Sequence, residues 1–258
     1  RKRTQNTSWY NETLNTSTRG ARKEFPSVAV IVAEAATVTI YDGDDPDMPM
    51  WMVFTIPSYG VMDMTNNGSI VSRKVVASNG ILAESHTSNA TWGGLSYVNF
   101  ISEIMWDSRD QTGLRSNYNV VGRNEGGSAS VRHSDIAIPI IIEKLCNDVA
   151  MTVLPNAPID SATGLPTPTI AVATNGGVSV IKDNGSVFDI TASSGGSYNA
   201  ATYGAISETG YLIFEQDVSG RAQMYIPMPT ADRTTSTSDG AITDKVVMKF
   251  YSYATHNY

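Results

Sequence analysis

Cysteine is almost absent from this sequence. Of 258 residues only Cys146 carries a thiol, so no intramolecular disulfide framework can staple the fold. Histidine is nearly as scarce: His86, His133 and His256 are the only three, and none stands in a pair with metal-ligand spacing such as H-E-x-x-H. Charged residues make up 17% of the chain, too few for a long charge-laced helix. No apolar run approaches the ~18 residues needed to cross a bilayer. The strongest candidate, residues 136–142, is interrupted by Pro139 and stops at Glu143, so no membrane span is expected. What is present is glycine, 21 of them, among many Thr, Ser and Asn, a composition that suits a turn-rich β-protein.

The clearest pattern is TIAVATNGGVSVIKDNGSVFDI at residues 169–190. β-Branched residues recur at a period near two in Ile170–Thr174 and Val178–Ile181, which is the spacing of a pleated strand packed on at least one face. Asn175-Gly176-Gly177 ends the first run and Asp183-Asn184-Gly185 the second. Asn-Gly is a strong hairpin signal because a type I′ turn needs positive φ at both central residues. Three adjacent antiparallel strands are therefore expected at 170–174, 178–182 and 186–190.

The same grammar recurs at 81–98, at 205–220 and at 28–43. Gly94 and Gly177 occupy matching places 83 residues apart. If that distance spans two units, the period is about 40 residues, in the range of a four-stranded propeller blade. The expected fold is therefore all-β: a β-propeller-like array of antiparallel blades over residues 26–258, preceded by an extended N-terminal arm, residues 1–25. The strand-like run at 245–252 leaves no closing unit, so the array is expected to be incomplete at its C-terminus. Between these units, 107–134 reads as an inserted surface loop, 155–168 as a rigid proline-rich loop and 230–241 as a Thr/Ser/Asp linker. Residues 136–154 are ambiguous, with room for a helix after Pro139 and a strand at 149–154.

The arm concentrates one sign of charge. It holds six of the 18 Lys and Arg and only two acids, Glu12 and Glu24. With few aliphatic residues it is expected not to bury enough apolar area to offset its ordering entropy. It would then order on a partner through Arg1, Lys2, Arg3, Trp9, Tyr10, Arg19, Arg22 and Lys23, aromatics giving contact area at low entropic cost. Six dispersed cations without a recognisable fold motif do not make a nucleic-acid reader, and none is expected as a partner.

Catalytic constellations are hard to assemble from what remains. Asp42, Asp44, Asp45 and Asp47 crowd one loop, but an EF-hand starting at Asp42 needs a bidentate Glu where Val53 stands. The loop reads as a turn, and alanine at any of these aspartates is expected to leave folding nearly intact. His133-Ser134-Asp135 has the letters of a triad, yet adjacent residues point different ways and triads assemble from distant segments. Neither Gly126-Gly127 nor Gly176-Gly177 is followed by a helix that would cradle phosphate. Glu34, Glu84, Glu103, Asp107 and Glu215 are the carboxylates from which a polysaccharide-cleaving pair would be drawn. Trp92, Tyr97, Trp106 and Tyr118 are the aromatics from which a glycan-binding face would be built. The expectation is no catalytic residue, no metal ligand and no cofactor.

Three stretches, DPDMPMWMVF at 45–54, GGLSYVNFIS at 93–102 and NDVAMTVLPNAPIDSATGLPTPTIAVATNGGVSVIKDNGS at 147–186, are similar to segments of large virion-associated bacteriophage proteins, especially marine ones. The similarity covers roughly residues 25–215. The resemblance implies a tail structural component with propeller-like β domains, in a nozzle, fibre or adaptor-like appendage of the virion. It further implies assembly in the host cytoplasm, contact with other tail proteins, and a symmetric homo-oligomer in the particle. A host-receptor- or glycan-binding propeller is the alternative. The family carries no catalytic residue over to this chain.

Overall fold

The computed structural model describes residues 3–34, 37–55, 70–88, 93–108, 115–117, 119–124, 137–192, 200–216, 222–235 and 246–249. Among them the backbone is strand, turn and two short 3-10 turns, Trp9–Asn11 and Val121–Asn124, with no α-helix. Sheet I holds β1 (Ala29–Ala33), β2 (Thr37–Asp42) and β3 (Met50–Thr55). Sheet II holds β4 (Ile70–Ser78), β5 (Ile81–Ser88), β6 (Gly94–Asn99), β7 (Met105–Ser108) and β8 (Arg115–Asn117). Sheet III runs through β9 (Cys146–Thr152), β10 (Thr169–Thr174), β11 (Gly177–Ile181) and β12 (Val187–Ala192). Sheet IV begins with β13 (Ala201–Ile206), β14 (Tyr211–Gln216) and β15 (Ala222–Pro227). The chain then returns to sheet III, where β16 (Arg233–Thr235) pairs parallel with the outer edge of β12, before β17 (Val246–Lys249) completes sheet IV. All other pairings are antiparallel between strands adjacent in their sheet's order, and β16 covers an edge that would otherwise present unpaired backbone groups.

The four sheets lie face to face in chain order. Val38, Ile40, Met52 and Phe54 of sheet I meet Leu82, Val98 and Met105 of sheet II. The opposite face of sheet II sends Ala83, Leu95 and Trp106 against Cys146, Val149, Ile170, Val172 and Ile181 of sheet III. Ala171, Ala173, Val178, Val180 and Ile190 on the far face of sheet III pack on Ala201, Leu212, Phe214 and Ile226 of sheet IV. Adjacent layers approach most closely at their first strands: β4 and β5 lie against β9, and β9 and β10 against β13. A strand between two layers has no solvent face, which is why β10 is buried at all six positions and TIAVAT carries no charged residue.

The three strands expected across 169–190 are present. The second turn is not type I′. Gly185 (φ 83°) is its only positive-φ residue, with Gly185 N donating to Lys182 O and Lys182 N to Ser186 O, the three-residue loop that ends in a glycine bulge. The type I′ pair is Asn79-Gly80, at φ 52° and 75°, joining β4 to β5. A Cβ on Gly185 would meet nothing within 4 Å, so Gly185→Val should cost about 1–3 kcal/mol, all of it conformational. A chemical-denaturation midpoint unchanged from wild type would show that the turn does not need this conformation.

The 40-residue period does not hold. Gly94 opens β6 and Gly177 opens β11, the third strands of sheets II and III, so their separation is one step of the stack and not two. Long connections between β8 and β9 and between β9 and β10 lengthen that step. The copies at 28–43 and 205–214 fall on the first two strands of their sheets, one strand out of step with 81–98 and 170–181. Compositional boundaries also misled. β8 lies inside the expected loop 107–134, β16 inside the expected linker 230–241, and β9 starts at Cys146, preceded by irregular chain at 137–145 and not by a helix.

Candidate functional site

The N-terminal segment joins the fold. Thr18-Arg19-Gly20 runs antiparallel along the outer edge of β3: Gly20 N donates to Trp51 O (3.0 Å), Val53 N donates to Thr18 O (2.9 Å), and Arg19 is bridged to Met52. The approach is so close that a Cβ on Gly20 would sit 1.8 Å from the Met50 carbonyl oxygen. Upstream, the chain crosses the junction of sheets I and II. The Trp9 ring is fully buried, edge-on to Phe25, Trp51 and Phe100 with centroids 5.4–6.4 Å away, and its Nε1 donates to Phe100 O at 2.6 Å. Ser8 N donates to Glu103 Oε1 (2.8 Å), the Ser8 hydroxyl donates to the same oxygen, and Val121 N donates to Ser8 Oγ (3.1 Å).

This corrects the expectation that the arm orders only on a partner, since the body of the same chain supplies the surface. The apolar area comes from Trp9 together with Phe25, Trp51 and Phe100, which a count of aliphatics within one segment does not register. Arg1 and Lys2 lie outside the described residues. Each of the six remaining docking candidates has an intramolecular partner. Arg3 donates to Ala162 O (3.2 Å) and, at 3.5 Å, to Ser161 O. The Lys23 ammonium sits 4.6 Å above the Tyr10 ring. Trp9 and Arg19 are fully buried and out of a partner's reach.

Arg19 meets Arg123, which lies inside the expected surface loop 107–134. Both guanidiniums are buried, at 0% and 1% exposure, around the carboxylate of Glu12. Arg123 donates to both Glu12 oxygens, at 2.9 and 3.0 Å, and to Val53, Val120 and Thr18 carbonyls. Arg19 donates to Trp51 O (2.7 Å) and Lys23 O (3.1 Å), with its Nε 3.7 Å from Glu12. Burial pulls the Arg19 guanidinium down to about 10; Glu12 opposes that shift and Arg123 adds to it.

Arg22 explains the aspartate loop. Its Nη1 contacts Asp42 at 2.6 and 2.8 Å and Asp44 at 2.8 Å, while Asp44 also accepts from the amides of Ser27 and Val28. The Ser27 and Val28 amides, then Arg22, hold the Asp44 carboxyl below its usual range. Its contribution is therefore present above the unfolded value of 3.8 and lost as pH falls below it. The four aspartates are not equivalent, contrary to the sequence-based expectation. Asp42→Ala should cost about 1–3 kcal/mol, because it removes a nearly buried carboxylate that accepts from the half-exposed Arg22 and from the Asp44 amide. Asp45, whose Oδ1 accepts only the exposed Asp47 amide in this loop, should tolerate alanine within about 0.5 kcal/mol. Equal melting temperatures for the two variants would contradict this division.

Of the other carboxylates, Glu84 and Asp107 are brought onto one face of sheet II, each in register with Ser96, whose hydroxyl donates to Asp107 at 3.3 Å. Both are buried between layers. A cleft of about 520 Å³ opens between sheets I and II, but its walls are Phe25, Ala29, Ile31, Val75, Ala77 and Phe100 with neighbouring turn residues, and neither carboxylate reaches it. Opening and acids do not coincide. Burial, with Asp107 and Glu143 nearby, pushes the Cys146 thiol well above its ordinary value, which suits packing rather than nucleophilic attack. Tyr97 and Trp106 stack on each other at 4.6 Å, with Trp106 only 5% exposed and the Tyr97 hydroxyl pushed up to about 12 by burial. They are layer packing, not an aromatic platform for glycans; Trp92 and Tyr118 lie outside the described residues.

No protein-family model matches the chain, and no curated protein is significantly similar to it. Among the described residues no helix is long and apolar enough to cross a membrane, and no group of three His, Cys, Asp or Glu is placed to hold a metal ion.

Proposed function

We propose that this chain is a non-catalytic structural subunit of a bacteriophage tail, part of a nozzle, fibre or adaptor-like appendage, and that its four sheets are blades of a propeller-like array. The reading is carried by the resemblance of three sequence stretches to virion proteins, and by where those stretches fall in the fold. DPDMPMWMVF forms the turn before β3 and most of that strand, GGLSYVNFIS forms β6 and the turn after it, and 147–186 spans β9, β10 and β11. Each stretch includes a strand that builds a layer, and 147–186 also takes in the proline-rich connection between β9 and β10. Consecutive antiparallel sheets nearest one another at their first strands are also how propeller blades surround an axis.

Docking to neighbouring tail proteins then belongs to surfaces other than Trp9 and Arg19, which the fold itself occupies. An antibody raised against the chain should decorate the tail of intact virions in immunogold electron micrographs. Gold confined to capsids, or absent from purified particles that carry the chain by immunoblot, would remove the tail assignment.

A further inference from the structure

Of the outermost layers, sheet I turns an exposed apolar strip away from the stack and sheet IV a half-buried one. On sheet I, β1 alternates strictly: Ala29, Ile31 and Ala33 pack toward sheet II, while Val30 and Val32, with Val28 just before the strand, are 41%, 39% and 57% exposed. Three of the seven large hydrophobics exposed among the described residues lie in this one strip. On sheet IV, Leu212, Phe214 and Ile226 pack toward sheet III. The alternate residues Tyr211, Ile213 and Tyr225 face the other way; Ile213 is paired across from Tyr225, whose ring stacks on Tyr211 at 4.6 Å and 8°.

The position of the first strip says what covers it. β1 is the first strand of its sheet, and the layer junctions already formed in the molecule are closest at first strands, β4 on β9 and β9 on β13. The bare valines therefore stand where a further layer would dock if the stack continued. At the junction of sheets II and III the stacked Tyr97 and Trp106 pack with Val149, Ile170 and Val172, and the outer faces carry the same two kinds of side chain, valines on sheet I and stacked tyrosines on sheet IV.

We infer that the outer face of sheet I receives the outer face of sheet IV from a second copy of this chain, so that copies associate head to tail through a junction like those inside each copy. The contact is heterologous, since it joins two different surfaces, and it either closes a ring or propagates. Two copies closing on each other would place eight layers in one ring, within the four to eight blades by which propellers protect their edges. The inference rests on layer geometry alone and is read out on the purified chain, so it stands or falls separately from the tail assignment.

Light scattering after size exclusion, across a dilution series of the full chain, tests it with two variants at exposed or half-exposed positions. Val30→Lys with Val32→Lys disables the sheet I face, and Ile213→Lys disables the sheet IV face. The wild-type chain should self-associate and each variant alone should run as a monomer. Mixing the two should restore association as far as a dimer and no further, because one intact face remains on each; that rescue also establishes that both variants are folded. A wild-type chain that stays monomeric at every concentration would overturn the inference. So would an Ile213→Lys variant that self-associates unaided, which means a symmetric contact of sheet I with itself, or a mixture that remains monomeric.

Discussion

Trp9→Ala should lower the stability of the chain by about 3–5 kcal/mol, the range for removing a fully buried large aromatic from a packed core. Against a total of about 5–15 kcal/mol for a folded domain, that is a loss capable of unfolding a marginal one. Three observations put the expected value in the upper part of the range. The ring has no solvent exposure and sits edge-on to Phe25, Trp51 and Phe100, pairs that add to the area they bury. Its indole N–H is the donor to the Phe100 carbonyl, so truncation leaves a buried acceptor bare. The cavity would open where sheets I and II and the N-terminal segment meet, and none of the three can close it without moving its own partners. For a chain of this size about 1 kcal/mol corresponds to about 2–4 °C, so the melting temperature should fall by roughly 10 °C. Trp9→Phe, which keeps most of the packing and loses the donor, should fall between. Deleting residues 1–25 should be worse than either, because it also uncovers the outer edge of β3 that Thr18–Gly20 pairs with. If the truncated chain melts with wild type, the segment is a dispensable tail after all.

The contrast between sheet III and this segment marks what the sequence made legible. Strands β10, β11 and β12 were readable because their information is local: β-branched residues at period two, bounded by Asn-Gly and Asp-Asn-Gly, can do little else. The N-terminal segment has no periodicity because it is held by contacts distributed over the chain, Trp9 to Trp51 and Phe100, Arg123 to Glu12 and Thr18. Charge counting over 1–25 does not register the partners of the cations there, some within the segment, as Glu12 is for Arg19, and some outside it, as Ala162 is for Arg3 and Asp42 for Arg22. Arg123 was hidden by its polar surroundings, since an Arg/Asn/Gly-rich stretch has the composition of a surface loop whether or not one guanidinium turns inward. A usable signal existed: Glu12 is one of only two acids in a strongly basic stretch, and an isolated acid among cations is a candidate buried counter-ion. The repeat was legible in kind but not in length, because Gly94 and Gly177 mark equivalent strands of adjacent layers while the long connections between them carry no repeat of their own.

Glu12→Gln should destabilise the chain by about 3–5 kcal/mol, the cost of leaving buried charge without its partner. Two guanidiniums share this one carboxylate, Arg123 through two hydrogen bonds of 2.9 and 3.0 Å and Arg19 across 3.7 Å, and both are essentially inaccessible to water. Glutamine preserves the shape and one acceptor but removes the negative charge. Arg19 is already under strain from burial, its pKa drawn down to about 10, and Glu12 is the group that opposes the shift. Its folded value lies below its unfolded one, so the charged form costs stability at neutral pH and that cost is relieved only as pH rises through about 10. Removing Glu12 should enlarge the neutral-pH penalty and draw the Arg19 pKa lower still, so the stability difference between Glu12→Gln and wild type should shrink at alkaline pH. Because the cluster is buried, the loss should change little between low and physiological salt, unlike a surface pair. A cycle with Arg123→Met sharpens the test. If the ion pair carries the effect, the double variant should be more stable than the sum of the two single losses implies, by at least about 1 kcal/mol, since it removes one stranded cation along with its counter-ion. Additive losses, or a Glu12→Gln variant within about 0.5 kcal/mol of wild type, would mean that the backbone carbonyls of Trp51, Lys23, Val53, Val120 and Thr18 suffice to hold both guanidiniums.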